Sequence, residues 1–228
     1  MLLYLNLVPA SQQLAFENKV KSVASALGIS NANWLMQIMK AESGLRPDIE
    51  NTSYPMSNGY ATGLIQFTPD TAKSLGTSTQ ALKKMSRVEQ MDWVYKYLLP
   101  YKGRLNSYFD VYLVVFFPAA IGKPDNYVFE TSRISRGSVA KSNPTMDINK
   151  DAKITMAEFK QYLKNTVGKQ YFDAIFNTMV SEPLQFIKKN PIVIAAFAQY
   201  APGKTCPSKG FDSSPMRLQW FQQCLSKI

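Results

Sequence analysis

Histidine is missing from all 228 residues. Without imidazole, Ser-His-Asp and Cys-His nucleophilic catalysis are excluded, and so are zinc sites with histidine ligands. Cysteine is almost as scarce: Cys206 and Cys224 are the only two, and two cannot fill a Cys₄ zinc site. They can close one disulfide or remain thiols, so they leave the redox compartment open. Long apolar runs are also lacking. The longest, residues 111–122 and 191–201, fall well short of the ~20 residues of a membrane-spanning helix. The start, Met1 to Val8, is apolar but short, has no basic flank and is interrupted by Asn6, so no signal peptide is expected.

What is present describes a folded chain. Apolar residues make up 46% and charged residues 18%, the reverse of a disordered composition. With 26 Lys and Arg against 16 Asp and Glu, the net charge is +10. That surplus suits general solubility or an anionic partner: nucleic acid, anionic lipid or anionic cell-wall polymer. The basic residues are scattered, the densest sets being the pairs Lys83-Lys84 and Lys188-Lys189, and no nucleic-acid-binding motif accompanies them.

Helical periodicity covers most of the chain, so the expected class is mainly α. Helices are predicted over 12–27 (ended by Gly28), 34–43 (capped by Asn31 or Asn33, ended by Gly44), from 69 onward, 86–97, 155–165, 171–180, 191–200 and around Trp220. Residues 46–62 read as a loop that has room for a short β-ribbon, and 132–145 as irregular. The apolar stretch 110–117 fits a central helix or a buried strand. The expected organisation is one domain over 1–204 followed by a tail, 205–228.

One carboxylate stands out. In the segment Trp34–Ser43 the apolar positions are Trp34, Leu35, Ile38, Met39 and Ala41. Glu42 falls four residues after Ile38 and seven after Leu35, which places it on the apolar stripe. Desolvation there raises a carboxyl pKa, and the negative end of the helix dipole acts in the same direction. A general acid needs such a shift. The plainer alternative is a helix-end glutamate exposed by fraying beside Gly44.

The string Ala41-Glu42-Ser43-Gly44-Leu45-Arg46-Pro47 is followed by Gly63-Leu64-Ile65-Gln66-Phe67-Thr68-Pro69-Asp70-Thr71-Ala72. In order and spacing this resembles the lytic transglycosylase and goose-type lysozyme families, over about residues 24–127. The resemblance implies a lysozyme-like fold and cleavage of MurNAc–GlcNAc bonds in peptidoglycan. Glu42 would be the catalytic acid/base, and Ser43 would orient it or a substrate group. Gly63 would let the backbone approach the sugar, and Gln66 would bind substrate or support Glu42. A transglycosylase needs one carboxylate, whereas a hydrolytic lysozyme uses a second, for which Asp48, Glu50 and Asp70 are the candidates. The family's usual Tyr-Asn-Ala-Gly is replaced here by residues 116–122, Phe-Phe-Pro-Ala-Ala-Ile-Gly. The missing phenol leaves three options: Tyr112 supplies it, Tyr127 supplies it, or packing alone holds Glu42; Tyr127 is also expected among the substrate-binding residues. This variant looks like a phage-type branch.

The segment from Asp147 to Glu158 (DINKDAKITMAE) fits the twelve-residue EF-hand template. Asp147, Asn149, Asp151, Lys153 (through its carbonyl), Thr155 and Glu158 would be the Ca²⁺ ligands, in an unpaired and structural site. Two features depart from the template. Ala152 stands where glycine is usual, and the preceding segment holds Pro144. The alternative is a polar, helix-capping loop without metal.

Together these features point to a calcium-bearing peptidoglycan glycan-strand cleaver, an endolysin or virion-associated lysin. It would pass from host cytoplasm to periplasm and cell wall, or be carried in the virion, with peptidoglycan and virion proteins as partners. A non-catalytic glycan-binding or virion structural module is the second reading. A nucleic-acid binder rests on charge alone; it would show steep salt dependence, and nucleic acid is not an expected partner.

Overall fold

A helix with almost no wet side organises the protein. In the computed structural model, which describes residues 1–53 and 55–177, α2 (Asn33–Ser43) buries Trp34, Leu35, Met36, Gln37, Ile38, Met39 and Ser43. It packs against α1 (Ala10–Leu27), α6 (Tyr108–Phe116) and α9 (Phe172–Phe176). The contact with α9 is pinned at the start of α2, where the Trp34 indole donates to the Ile175 carbonyl at 2.8 Å and the Asn31 amide to that of Ala174 at 2.8 Å.

α1 is amphipathic, burying Phe16, Val20, Val23, Ala24 and Leu27 on one stripe against α5 (Arg87–Leu98). It ends where Gly28 takes φ 75°, a left-handed cap that glycine adopts without strain. The apolar start is used in the core: Leu2, Tyr4, Leu5 and Val8 are buried, and the Leu3 amide donates to Asn33.

Between α2 and α5 lie α3 (Pro69–Ser74) and α4 (Thr79–Lys84), and beyond α6 come α7 (Arg136–Ser142) and α8 (Met156–Thr166). Thr68, Ser78, Ser86, Ser107, Ser135 and Thr155 each accept from the backbone amide three residues on, satisfying a donor the first helical turn leaves free. Among the described residues there are no strands, only isolated bridges: Glu50 with Thr62, Met56 with Gly59, Thr62 with Phe67 and Val128 with Thr155.

The mainly α expectation is met. The stretch 110–117 is helical as far as Phe116, and the loop at 46–62 carries bridges rather than a ribbon. Residues 132–145 are not wholly irregular: Ser135 caps a seven-residue helix whose Val139 and Ala140 are buried. The helix expected at 171–180 is shorter within the described residues, five residues after a 3₁₀ turn. Ala41 is exposed rather than part of the apolar stripe. The helices expected at 191–200 and around Trp220, the Cys206/Cys224 pair and the boundary at 204 lie outside the described residues.

Candidate active site

Helical spacing carries Glu42 to the inner side of the last turn of α2, half-buried, where Gly44 closes the helix at φ 61°. The Tyr112 hydroxyl, on α6, donates to Glu42 Oε1 at 2.8 Å. Burial pushes the Glu42 carboxyl above its usual pKa, and the Tyr112 hydrogen bond opposes this more weakly. Burial likewise pushes the Tyr112 phenol well above its usual value, and the adjacent carboxylate adds to that, so the phenol stays a proton donor. Glu42 therefore combines a raised pKa with one fixed donor.

Tyr112 is one helical turn before Phe116 and shares its face of α6. Of the two tyrosines expected as partners of Glu42, Tyr112 is the one bonded to it. Tyr127 is not: its hydroxyl donates to the Glu130 carbonyl at 3.0 Å, and Lys123 Nζ lies 5.6 Å from its ring centre. Phe116 and Phe117 belong to an aromatic cluster, Phe116 stacked on Phe159 and Phe117 on Phe129.

The turn 62–67 is fastened to the end of α2. The buried Ser43 hydroxyl lies 2.8 Å from the Met39 carbonyl and 3.0 Å from that of Leu64, so its single proton is shared between helix and turn. Its bonds tie the backbone of the helix to that of the turn. Thr62 and Phe67 exchange backbone hydrogen bonds, and the Gln66 amide nitrogen donates back to the Gly63 carbonyl at 3.0 Å. Gly63 has φ 83°, and a Cβ there would stand 2.5 Å from Gln90 Oε1.

Gln90 escaped the sequence reading. Fully buried on α5, it accepts from Leu64 N at 2.9 Å and donates to the Pro47 and Leu82 carbonyls, each at 2.6 Å. It therefore joins both flanks of the 46–62 loop to α4 and α5. The signal was available: Gln90 adjoins Met91 and precedes Val94 by four, on the apolar stripe, the same pattern that exposed Glu42.

Residues 15–92 match the Transglycosylase SLT domain. No curated protein and no solved structure matches the chain. The SLT match covers about a third of the sequence and supports a lysozyme-like α fold and an enzyme of lytic transglycosylase type acting on peptidoglycan. Glu42, Ser43, Gly63, Gln66 and Gln90 fall inside the SLT region; Tyr112, Tyr127 and the 147–158 loop lie beyond it. No helix among the described residues is long and apolar enough to cross a membrane.

The three other candidate acids of the SLT region are engaged elsewhere. Asp48 pairs with Arg46 at 3.1 Å, and that hydrogen bond holds its carboxyl below the usual range. Glu50 pairs with Lys83 at 2.6 Å, and Asp70 accepts from the Asn58 amide at 2.8 Å.

The 147–158 loop is wound on its own side chains. Asp147 accepts from the amides of Asp151 and Ala152, Asn149 from that of Asp151, and Asp151 from that of Lys153. Ala152 has φ 63° at the position where the template has glycine. Glu158 forms a capping box with Thr155 at the start of α8 while its other oxygen accepts from Asn149 N at 3.3 Å. Lys153 Nζ lies 3.2 Å from Asp151, and among the described residues no three acidic side chains are gathered into a metal cluster.

Removing the phenol alone tests the Glu42 environment. Tyr112→Phe deletes an interaction that lowers the Glu42 pKa, so the alkaline limb of the activity–pH profile is expected to move to higher pH. A kcat lower by about tenfold should accompany it, the equivalent of one hydrogen bond to a charged group. An unmoved limb would mean that Tyr112 does not govern the carboxyl.

Proposed function

We propose that the protein cleaves the glycan strands of peptidoglycan at MurNAc–GlcNAc bonds as a lytic transglycosylase, with Glu42 the sole catalytic carboxylate. The observation that carries this reading is the half-buried Glu42, its carboxyl held by Tyr112 beside the turn 62–67, with Asp48, Glu50 and Asp70 bonded to other partners. The Glu42 carboxyl gives its proton to the glycosidic oxygen as the C1–O bond breaks. The carboxylate then takes the proton of the MurNAc C6 hydroxyl as O6 bonds to C1, closing a 1,6-anhydro ring. Glu42 ends protonated, and no water is consumed.

Digestion of purified peptidoglycan with mass spectrometry of the products tests this. Anhydromuramyl ends are expected. Reducing ends would indicate a hydrolytic lysozyme and return attention to the three other acids. No cleavage would leave a glycan-binding module. We place the enzyme as a phage endolysin or virion-borne lysin, because of the Phe-Phe-Pro departure and a net charge of +10 that suits an anionic wall polymer.

We also propose that the 147–158 loop holds calcium. The donor chemistry fits, with hard oxygens on Asp147, Asn149, Asp151, Thr155 and Glu158 and the carbonyl of Lys153. The Lys153 ammonium pairs with Asp151 at 3.2 Å, and a bound Ca²⁺ would displace it from that carboxylate. Calcium would brace the start of α8. Adding it at about a hundredfold its Kd should stabilise the fold by about 2.7 kcal/mol. Thermal unfolding with calcium, with magnesium and with chelator checks this, and Asp147→Asn should abolish the difference. Identical transitions in calcium and chelator would identify a metal-free capping loop.

A further inference from the structure

The helix that follows the 147–158 loop reaches the candidate active site. Phe159, on the first turn of α8, is fully buried and meets the Tyr112 ring edge-on, with centroids 6.1 Å apart and planes at 75°. It also stacks on Phe116 at 5.6 Å and touches Phe129 at 5.5 Å. Tyr112 is thus held by a ring behind it and bonded to Glu42 at its hydroxyl. A second ring, Tyr108, meets it at 5.9 Å. Directional ring packing of this kind fixes orientation as well as burying area.

The placement of Phe159 is itself over-determined. The amides of Met156 and Ala157 donate to the carbonyls of Tyr127 and Asp125 at 2.9 and 3.0 Å, and Phe129 N donates to Ile154 O at 2.9 Å. Lys160 pairs with Asp125 at 2.6 Å. The start of α8 is therefore clamped to residues 125–129, and Phe159 has little room to shift. All of this lies outside the region that matches the SLT domain.

We propose that Phe159 is a positioning residue for the reaction: by fixing the ring of Tyr112 it sets the hydrogen bond on Glu42, which makes α8 a working part of the catalytic centre. This rests on Glu42 being the catalytic acid. The ionisable groups around Tyr112 are Glu42, Tyr108 and Tyr162.

The test is a double-mutant cycle in the full-length protein. Phe159→Leu keeps an apolar side chain and removes the ring; it is expected to lower kcat about tenfold with KM within twofold. In a Tyr112→Phe background, Phe159→Leu should add almost nothing, because the bond it serves is gone. An equal loss in both backgrounds, or an unchanged kcat in the single variant, overturns the proposal. Carbon-13 NMR titration of the Glu42 carboxyl gives a readout independent of turnover. Phe159→Leu should move it upward in pH, in the direction of Tyr112→Phe, and an unmoved titration also overturns the proposal. If the carboxyl moves as expected but Glu42→Gln still cleaves, the catalytic reading fails and the positioning of Glu42 stands. If Glu42→Gln is inactive and neither kcat nor the titration responds to Phe159→Leu, the positioning fails alone.

Discussion

Glu42→Gln is expected to remove glycan cleavage by at least about 10³-fold while leaving the protein as stable as before, or more so. The loss follows from chemistry. An amide cannot give a proton to the glycosidic oxygen or take one from the C6 hydroxyl, and a positioned acid or base contributes roughly 10²–10⁴-fold. Here one residue serves in both roles. The stability follows from linkage. The folded carboxyl pKa is raised above 4.5 by burial, so the native state holds the proton more tightly than the unfolded chain. Native stability then falls as pH rises from about 4.5 through the raised value, where the unfolded chain has already ionised. Glutamine carries no such penalty and still accepts from Tyr112. Above that window the variant should melt no lower than wild type, and the two should converge below pH 4. Product analysis and thermal unfolding across pH check the two halves. A dead variant that also melts lower at neutral pH would mean that Glu42 serves the fold, and an active one would remove it from the chemistry.

The expected loss of activity at kept stability matches the way Glu42 stands out in the sequence. A carboxylate on an apolar helical stripe violates the local pattern, and sites of function are where such violations are tolerated. Helix ends were legible where Gly28 and Gly44 act as stops within a few residues of chain, but the start of α2 was not: Ala32, not Asn31 or Asn33, is its N-cap, and no side chain caps it. The short helices α4 and α7 were missed although Ser78 and Ser135 cap them, because six or seven mostly polar residues show no period. The partner of Glu42 was out of reach in another sense. Tyr112 and Tyr127 were equal candidates by composition, and only the face of α6 against α2 separates them. Gln66 and Ser43 carried the family pattern, yet the bonds they make are to the turn and the end of α2, a division of labour that no one-dimensional pattern contains.

Gly63 shows how much of the site depends on backbone. At φ 83° an alanine is strained by about 1–2 kcal/mol. Its Cβ would also stand 2.5 Å from Gln90 Oε1 and 3.0 Å from Gln90 Cδ. Gln90 cannot yield cheaply, because its amide holds Leu64 N and the carbonyls of Pro47 and Leu82. Leaving one such buried group unsatisfied costs about 1–3 kcal/mol. Gly63→Ala should therefore destabilise the protein by roughly 2–5 kcal/mol. Gly44 is the control: φ is 61°, but nothing stands within 4 Å of an added Cβ, so Gly44→Ala should cost only the backbone strain, about 1–2 kcal/mol. Urea unfolding of both variants separates strain from collision. Equal losses would mean that the Gln90 amide gives way. Gln90→Ala, which removes the obstacle and also the three bonds, should not rescue Gly63→Ala to wild-type stability, because the turn beside Glu42 is held by those bonds.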